Sequence, residues 1–523
     1  MRSLVAGCLS LGVLVLCAYL NAGFPGETVQ LHLRLRDADT GEELAGIVRF
    51  RPKIGGKPLV LTGLYDRLKG IQKTETVTGW YVVGRSGATL TLPRGVWISE
   101  ALSGLETRLV RQELDLTNQS SSRITLNLPY LFRPEKQGLI AGNTHLHLRQ
   151  LTKEDAEEYL KQIPAADGLK VLFISYLERF QDDATFITNR YPVGDLKEFD
   201  PTGVLIHNGE EYRHNFGAYG QGYGHVMLLN LQRFIKPASL GPGITGSGFD
   251  DDALLEGIAE ARRQGGTIIW CHNTFGWEAT VHALAGRLDA LNVFDGGRTG
   301  KFEERYYLYL NVGLRLPLST GTDWFMYDLA RVYAQLREPV TAVRWLNAVK
   351  AGRCVVTNGP LLTLTVDGQP VGEVIHLDKP RSVKIEASGI GRHNFQQLQL
   401  IHNGRVIRTQ AAEAIDGGFR AHLRQELRID EPSWLAVRIE TTTRNEFDQP
   451  LFAHTAPVYL DLAGHRVFQP EAAQTLLKHL GEAQAVIRAK GKFSSPQAAE
   501  RVLALYEEAS RQLRQRLREG GKP

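Results

Sequence analysis

Residues 138–147 read Gly-Leu-Ile-Ala-Gly-Asn-Thr-His-Leu-His, and the organisation of the chain turns on this stretch. Its apolar run is typical of a buried strand, and it is the first of several such runs that alternate with helical patterns. Further strands are predicted at 170–175, 203–208, 225–231, 267–271, 291–294 and 316–319, and helices at 153–162 and 251–263. This alternation predicts an α/β unit built on a parallel sheet or barrel, with its chemistry at the carboxyl ends of the strands.

The segments on either side of this unit have a different pattern. Before it, short alternating strands are predicted at 46–51, 79–83, 88–92 and 123–128, which indicates a small β-sandwich. After it, alternation returns from 361 to 462, and two helices follow, at 471–489 and from Ser495-Pro496 onward. The sequence therefore predicts an N-terminal β-sandwich (23–135), a central α/β domain (136–358), a C-terminal β-domain (359–465) and a helical tail (466–523).

The first 22 residues have the layout of a secretory signal. Arg2 precedes an apolar stretch at 4–20, and Ala22-Gly23 offers a small-residue cleavage point. We expect a signal peptide at 1–22 and export to the periplasm or the extracellular space. A retained N-terminal anchor is the alternative, since about 17 apolar residues are just enough to span a bilayer; after cleavage no transmembrane segment is expected.

Composition excludes several classes of protein. The 523 residues are 43% hydrophobic and 23% charged, as in ordinary globular proteins, and the net charge is only +4. No basic run precedes the helical tail, so a nucleic-acid partner is not expected. Two of the four cysteines lie in the leader, which leaves Cys271 and Cys354 and no disulfide framework. A single disulfide between Cys271 and Cys354 is an open alternative.

His145 and His147 are the first candidates for metal binding. Residues two apart in a strand share a face, so both imidazoles point to the same side at the end of the predicted strand. This is how a strand presents two ligands to one metal. Two surface histidines would give the same pattern, so the pair alone does not decide between the two interpretations.

Other acidic and imidazole groups also fall at strand ends. Glu210 and Glu211 follow one predicted strand, His225 begins another, and His272 and Asp323 follow two more. Imidazoles together with carboxylates suit zinc, manganese or iron. Because these positions track strand ends in one α/β unit, they favour a common metal centre.

This set of residues resembles the polymerase and histidinol phosphatase (PHP) superfamily of metallohydrolases, and more closely its carbaryl-hydrolase-like (CehA/McbA) branch. The resemblance covers most of the chain, including the motif at 142–147 and the segment at 351–362. It implies an α/β fold with a PHP-type distorted (β/α)7 TIM-like barrel, flanked by N- and C-terminal β-sandwich domains and followed by the helical tail.

The resemblance also implies a site with two divalent transition metals, zinc, manganese or iron. His145, His147, Glu210 and Asp323 would hold one ion, and Glu210 would bridge to a second ion completed by His225 and His272. Glu210, Asp323 and His272 would be the catalytic residues.

Members of the superfamily commonly hold a third metal, and here the sequence departs from the pattern. Tyr176-Leu177 and Trp324-Phe325 occupy positions where the family has ligands of that ion. We expect Leu177 and Phe325 to meet in an apolar wall beside a two-metal centre.

The expected activity is hydrolysis of a small-molecule ester, carbamate or phosphoester by metal-activated water, with a carboxyl-type ester favoured by the apolar wall. Glu178, Glu211 or His214 could relay protons, and Arg149, Arg179 or Arg213 could bind an anionic substrate. An ordinary surface charge or salt bridge is the alternative interpretation of each residue. The alternative function is a degenerate metal-binding, carbohydrate-binding or partner-binding protein of the envelope.

Overall fold

The computed structural model describes residues 27–71, 78–179, 186–216, 221–273, 275–295, 298–299 and 305–519. The predicted signal peptide at 1–22 lies outside these residues. Within them, no helix is both long enough and apolar enough to cross a membrane. The structure is mixed α/β with several sheets.

The N-terminal β-region consists of two sheets that share one apolar core. Their strand orders are β4-β1-β7 and β3-β2-β5-β6. Strict alternation in β1 buries Val29, Leu31, Leu33 and Leu35 against the second sheet. The strands are β1 Thr28–Asp37, β2 Gly46–Pro52, β3 Tyr81–Val83, β4 Ala88–Pro93, β5 Val96–Leu102, β6 Val110–Asp115 and β7 Ser121–Leu128.

The central α/β region carries strands and helices in turn, as the sequence predicts. Its strands are β8 Leu139–Asn143, β9 Leu146–His147, β10 Val171–Tyr176, β11 Gly194–Asp195, β12 Leu205–His214, β13 Gly224–Leu229, β14 Ser239–Leu240, β15 Thr267–Trp270, β16 Ala290–Asp295, β17 Arg298–Thr299, β18 Leu318–Thr320, β19 Asp323–Trp324, β20 Arg331–Gln335 and β21 Cys354–Thr357. Its helices are α1 Lys153–Ala166, α2 Pro242–Thr245, α3 Leu255–Arg263, α4 Ala279–Leu284, α5 Tyr306–Asn311 and α6 Ala342–Lys350. Helix α1 begins where expected, because the Thr152 side chain accepts a hydrogen bond from the Asp155 amide.

The central strands are only partly parallel. The pairs β8–β10, β10–β12, β15–β16 and β16–β18 are parallel, whereas β13 is antiparallel to both β12 and β15. The sequence predicted a parallel sheet or barrel, and β13 departs from that pattern. Strand β13 follows β12 after nine residues, too few for the crossover that a parallel pair requires, so the two form a hairpin.

The segment after β18 returns to the first strand motif. The amides of Thr322 and Asp323 both donate to the carbonyl of His145, at 2.9 and 3.0 Å, and β19 pairs in parallel with β9. Gly321 permits this approach, because a Cβ there would lie 2.3 Å from the Cβ of His145. The backbone therefore brings Asp323 beside the two histidines.

The C-terminal β-region is joined to the central region by hydrogen-bonded strands. Strand β21 pairs with β31, so one sheet continues past the boundary predicted at 358. The strands of this region are β22 Leu361–Val366, β23 Gln369–Pro370, β24 Val374–Leu377, β25 Arg381–Gly391, β26 Gln397–His402, β27 Arg405–Ala411, β28 Glu413–Ile415, β29 Gly418–Ile429, β30 Ser433–Glu440, β31 Ala453–Thr455 and β32 Val458–Leu462.

The helical tail consists of α7 Pro470–Lys490 and α8 Pro496–Arg518. Ser495 caps α8 by accepting a hydrogen bond from the Ala498 amide, as predicted. Apolar residues of both helices, including Leu480 and Tyr506, pack into the core that the central and C-terminal β-regions share.

Candidate metal centre

Buried histidines and carboxylates from separate strands, and from the segments that follow strands, meet at one place in the central region. His145 and His147 come from the segment after β8, and Asp323 comes from β19 beside them. The structure adds Glu211 from β12, His225 from β13, His272 after β15, and Asp295 at the end of β16. Three groups of these residues, with Cys271, could each hold an ion: His145–His147–Asp323, Glu211–His225–His272 and His145–Cys271–Asp295.

The two motif histidines face each other through the same ring nitrogen. The Nε2 atoms of His145 and His147 lie 2.9 Å apart, and both rings are fully buried. His145 Nδ1 lies 2.8 Å from Asp295 Oδ2, and His147 Nδ1 lies 2.9 Å from the carbonyl of Ser175. Both partners only accept hydrogen bonds, so each ring carries a proton on Nδ1, and the two Nε2 atoms face each other with room between them for one further proton, from His145, or for a metal ion.

Two facing Nε2 lone pairs repel unless a proton or a metal ion lies between them. Ligand nitrogens at about 2.1 Å from one ion, at angles near 90–110°, lie about 3.0–3.4 Å apart, which is close to the separation of these two atoms. The Asp323 carboxylate completes the group, with Oδ1 3.6 Å from His145 Nε2 and 3.8 Å from His147 Nε2. The donor set therefore fits a metal ion.

A second close contact occurs at His225. Its Nε2 lies 2.7 Å from Asn215 Oδ1, so this nitrogen donates its proton there. Its Nδ1 lies 2.8 Å from Glu211 Oε1, in a geometry that is not a hydrogen bond. Burial lowers the pKa of His225 to about 3, so the ring is neutral and Nδ1 presents a lone pair to the carboxylate.

The Glu211 carboxylate extends from one group to the other. Its Oε1 faces His225, and its Oε2 lies 3.0 Å from His147 Nε2. Burial opposes its ionisation, but the neighbouring Arg213 guanidinium and the two imidazoles hold its pKa well below the usual range. Glu211 is therefore an anion placed between the two histidine groups.

Glu210, the predicted bridging ligand, does not join this cluster. Successive side chains of a strand point to opposite faces, and Glu211 is the one that faces the histidines. Glu210 Oε2 accepts a hydrogen bond from the Ile235 amide at 2.7 Å, and burial raises the pKa of Glu210 to about 8. Glu211, and not the predicted Glu210, lies between the two histidine groups.

His272 and Asp323 both have left-handed backbone conformations. Their φ angles are +56° and +58°, values that cost about 1–3 kcal/mol outside glycine and persist where surrounding contacts fix them. His272 Nε2 lies 3.9 Å from Asp323 Oδ2, and the ring centroids of His272 and His225 lie 5.5 Å apart. His272 thus lies between the two groups, and such strain is common at functional sites.

Asp295 was not among the predicted site residues. Its Oδ2 lies 2.8 Å from His145 Nδ1 and accepts a hydrogen bond from Asn292 Nδ2 at 3.0 Å. The pKa of His145 is well above its usual value, because Asp295 and Asp323 outweigh the effect of burial. Burial raises the pKa of Asp323 to about 6. The carboxylate–imidazole pair fixes the orientation of His145.

The expected apolar wall has a different composition. Phe325 lies against Tyr159, with ring centroids 6.0 Å apart, in a core cluster that does not include Leu177. Trp324 is the aromatic residue beside the centre: its ring centroid lies 5.1 Å from that of His147 and 5.5 Å from that of Phe186. The Arg149 guanidinium lies 5.1 Å from the centre of the Trp324 ring.

Several residues considered for proton relay or anion binding have structural partners. Glu178 pairs with Lys236 at 2.6 Å and accepts from the Ala238 amide. His214 lies 2.9 Å from Asp250 Oδ1 and stacks on Tyr223. Arg213 pairs with Glu211 at 3.2 Å.

Strand alternation from His272 would turn the side chain of Cys271 away from the site. It is instead buried next to His145 and Asp295. Strand β15 ends at Trp270, so strand alternation no longer applies at Cys271 and His272.

Comparison with known proteins adds little. No protein-family model matches the chain, and no curated protein matches it. Among solved structures, the crystal structure of an engineered protein matches at 13% sequence identity and a TM-score of 0.16, over 58% of this chain and 52% of that chain. The chain thus spans about half the length of that engineered protein, and a match at this TM-score supports no conclusion about fold or function.

Proposed function

We propose that the protein is a metal-dependent hydrolase that holds two divalent transition metals, zinc, manganese or iron, at the cluster around Glu211. One observation carries this proposal. In the cluster, buried His225 Nδ1 faces Glu211 Oε1 with no hydrogen bond between them, and the Nε2 atoms of His145 and His147 converge with the Asp323 carboxylate as ligands of one ion would. Buried acceptors in contact are costly unless a cation satisfies both.

We further propose that the central region is a PHP-type distorted barrel. The consecutive pairing of β8, β10, β12, β13, β15, β16 and β18 supports this, and so does the return of the next segment to His145 through the amides of Thr322 and Asp323. The hairpin of β12 and β13 accounts for the distortion.

The ligands would divide between the two ions. His145, His147 and Asp323 would hold one, His225 and His272 would hold the other, and Glu211 would bridge them. Bound metals of this kind lower the pKa of a water molecule and polarise the bond to be cleaved.

The chain's own residues supply orientation and charge. Asp295 fixes His145 with Nε2 directed into the site, and the Ser175 carbonyl does the same for His147. Arg213 keeps Glu211 ionised. Asp323, with a pKa of about 6, can take or release a proton near neutral pH when no metal is present.

We infer that the substrate carries an apolar group beside a carboxyl-type ester, amide or carbamate. Trp324 and Phe186 support this, because they place aromatic surface next to His147. Arg149, against the Trp324 ring, would accept a substrate with a negative charge near that group.

The first test is metal content together with hydrolysis. Purified protein should contain about two ions per chain, and it should hydrolyse aryl esters or aryl carbamates faster than aryl phosphate monoesters, with loss of activity in chelator. Glu211→Gln should reduce both metal content and turnover by at least about 100-fold, since it removes the bridging charge. Glu210→Gln is the matched control and should change neither.

The outcomes separate the candidates. Two bound ions without hydrolysis of any substrate class would favour the alternative of a degenerate metal-binding protein. Protein that binds no divalent ion would contradict the proposal outright.

We also propose export, which rests on the leader at 1–22. Protein recovered from its host should then begin near Gly23, as measured by mass spectrometry of the N-terminal peptide. An intact Met1 in cytoplasmic protein would contradict this proposal.

A further inference from the structure

A loop of the N-terminal β-region, residues 66–71, packs against the segment that carries Asp323. Arg67 in this loop is fully buried. Its guanidinium donates to the carbonyls of Met326 and Asp328, the latter at 3.0 Å, and pairs with Asp167 through Nε at 2.8 Å. The side chain therefore binds two carbonyls that lie three and five residues beyond Asp323.

Gly70 lets the loop approach the same segment closely. A Cβ at Gly70 would lie 2.3 Å from the ring of Phe325, and the φ angle of Gly70 is +82°. On its other side the Phe325 ring lies against Tyr159, whose hydroxyl accepts a hydrogen bond from the Met326 amide at 2.7 Å. Phe325 is thus enclosed between the loop and helix α1.

The segment needs such support because its backbone is strained. Asp323 and Phe325 both have positive φ angles, +58° and +57°, and each costs about 1–3 kcal/mol unless other contacts fix it. Their amides donate to the carbonyls of His145 and His147, both at 3.0 Å. The backbone of His145 and His147 binds amides of the segment, and Arg67 binds its carbonyls.

We propose that Arg67 and Gly70 are positioning residues of the metal site formed by His145, His147 and Asp323. The loop at 66–71 fixes the backbone that presents Asp323, so the N-terminal β-region forms part of the metal centre without supplying a ligand. This inference rests on the proposed function, since it takes Asp323 as a ligand. It also predicts that the other site, of Glu211, His225 and His272, is insensitive to the loop.

The test is a Co²⁺ titration of the full chain, followed by visible absorption. Arg67→Met should raise the dissociation constant of one of the two Co²⁺ ions by about 10–100-fold, the range typical for residues that orient a ligand. Arg49→Met is the matched control. Arg49 is a buried arginine of the same region, paired with Glu100 at 2.6 Å and stacked on Trp80, and its loss should leave both constants within about twofold of the parent.

Two further variants, each lacking one of the metal sites, distinguish a positioning role of Arg67 from a general loss of structure. In His225→Ala, which keeps the Asp323 site, Arg67→Met should have its full effect on the remaining ion. In Asp323→Ala, which keeps the other site, it should have none. Equal weakening in both backgrounds would overturn the proposal, because a residue that merely stabilises the fold acts on both sites.

The wild-type protein provides a test that needs no variant. Loading with Co²⁺ should slow hydrogen exchange at the amides of Arg67 and Ile71, which bond to Trp80 and Leu68, but not at the Leu44 amide of the same region. Unchanged exchange in the loop would overturn the proposal. The proposal would also be overturned if Arg67→Met bound both Co²⁺ ions as tightly as Arg49→Met does. That outcome leaves the proposed function intact. Wild-type protein that binds no Co²⁺ overturns both.

Discussion

Two buried clusters of charged side chains adjoin the segment that carries Asp323 and Asp328, and they differ in how their charges are satisfied. The metal centre and the second cluster, here called the ion network, each contain three carboxylates. The metal centre has one guanidinium and a contact between two acceptors, His225 Nδ1 and Glu211 Oε1, whereas in the ion network every carboxylate meets a donor. The carboxylates of the ion network are Glu106, Asp167 and Asp328, and its guanidiniums are Arg67 and Arg331.

The difference shows that buried acid alone does not indicate a metal site. Arg331 pairs with Glu106 at 3.1 Å, and Asn358 donates to Asp328 at 2.9 Å, so each carboxylate of the ion network has a donor within the protein. In the metal centre, by contrast, two acceptors, His225 Nδ1 and Glu211 Oε1, lie in contact in the same buried setting. Neutralising a carboxylate should therefore weaken the fold in the ion network and weaken metal binding in the centre.

The largest expected effect is in the ion network. Glu106→Gln leaves Arg331 buried without a countercharge, so the free energy of unfolding should fall by about 3–5 kcal/mol. Urea denaturation of the metal-free protein measures this, and folded protein should still bind two ions. A loss below about 1 kcal/mol would contradict the view that this network is a complete structural unit.

Asp323→Asn makes the same change in the metal centre. The affinity for one ion should fall by at least about 100-fold, roughly 2.7 kcal/mol, while the metal-free protein should keep or raise its melting temperature, because one buried negative charge is removed. Calorimetry with and without chelator checks both results. A metal-free variant that melts well below the parent would mean that the centre is structural, like the ion network.

Asp295→Asn should have an intermediate effect. The amide still reaches His145 but no longer fixes the ring as a carboxylate does, so affinity for the ion held by His145 should fall by about 10–100-fold. The second ion should bind as before. Competition with a chromogenic chelator measures the dissociation constants of both ions. An unchanged constant for the ion held by His145 would mean that Asp295 does not orient His145.

The smallest effect is expected outside both clusters, at the pair Asp37–Arg133. The hydrogen bond from Arg133 lowers the pKa of Asp37 from 3.8 to about 2, so its stabilisation is complete above the unfolded value and disappears as pH falls through about 2. Asp37→Asn should cost about 1 kcal/mol at pH 7 and nothing near pH 2. A difference between the two proteins that is independent of pH would contradict this assignment.

The sequence predicted some of the elements and part of the site. Alternation and capping located the helix capped by Thr152 and several strands of the N-terminal β-region, though not β5 or β6, because these signals are local. The pairing of β13 was not predicted, since nothing in the apolar run gives its direction. The continuation of the sheet into β31 was also missed, since its partners are about 100 residues apart in the chain.

In the candidate site, the unknown register of the strands limited what the sequence could predict. His145, His147, His225, His272 and Asp323 were predicted and do come together. Two adjacent glutamates follow one strand, and a shift of one residue exchanges the face that each occupies, so choosing between them required the pairing of the strand.

Asp295 could have been found by the rule already applied to the other ligands. It ends the strand Ala290–Asp295 just as His272 and Asp323 follow theirs. The left-handed backbone at His272 and Asp323 had no signal in the sequence, because neither residue type requires it.

The joined sheet has a consequence for biosynthesis. Strand β21 stays an open edge until β31 has been made, and β21 in turn borders β20, which pairs with β8 just before the histidine motif. The nascent central region therefore exposes an unpaired strand while about 100 further residues are translated, and exposed edges invite pairing with other chains. A chain that stops near residue 358 would then be an aggregation hazard rather than a smaller folded protein.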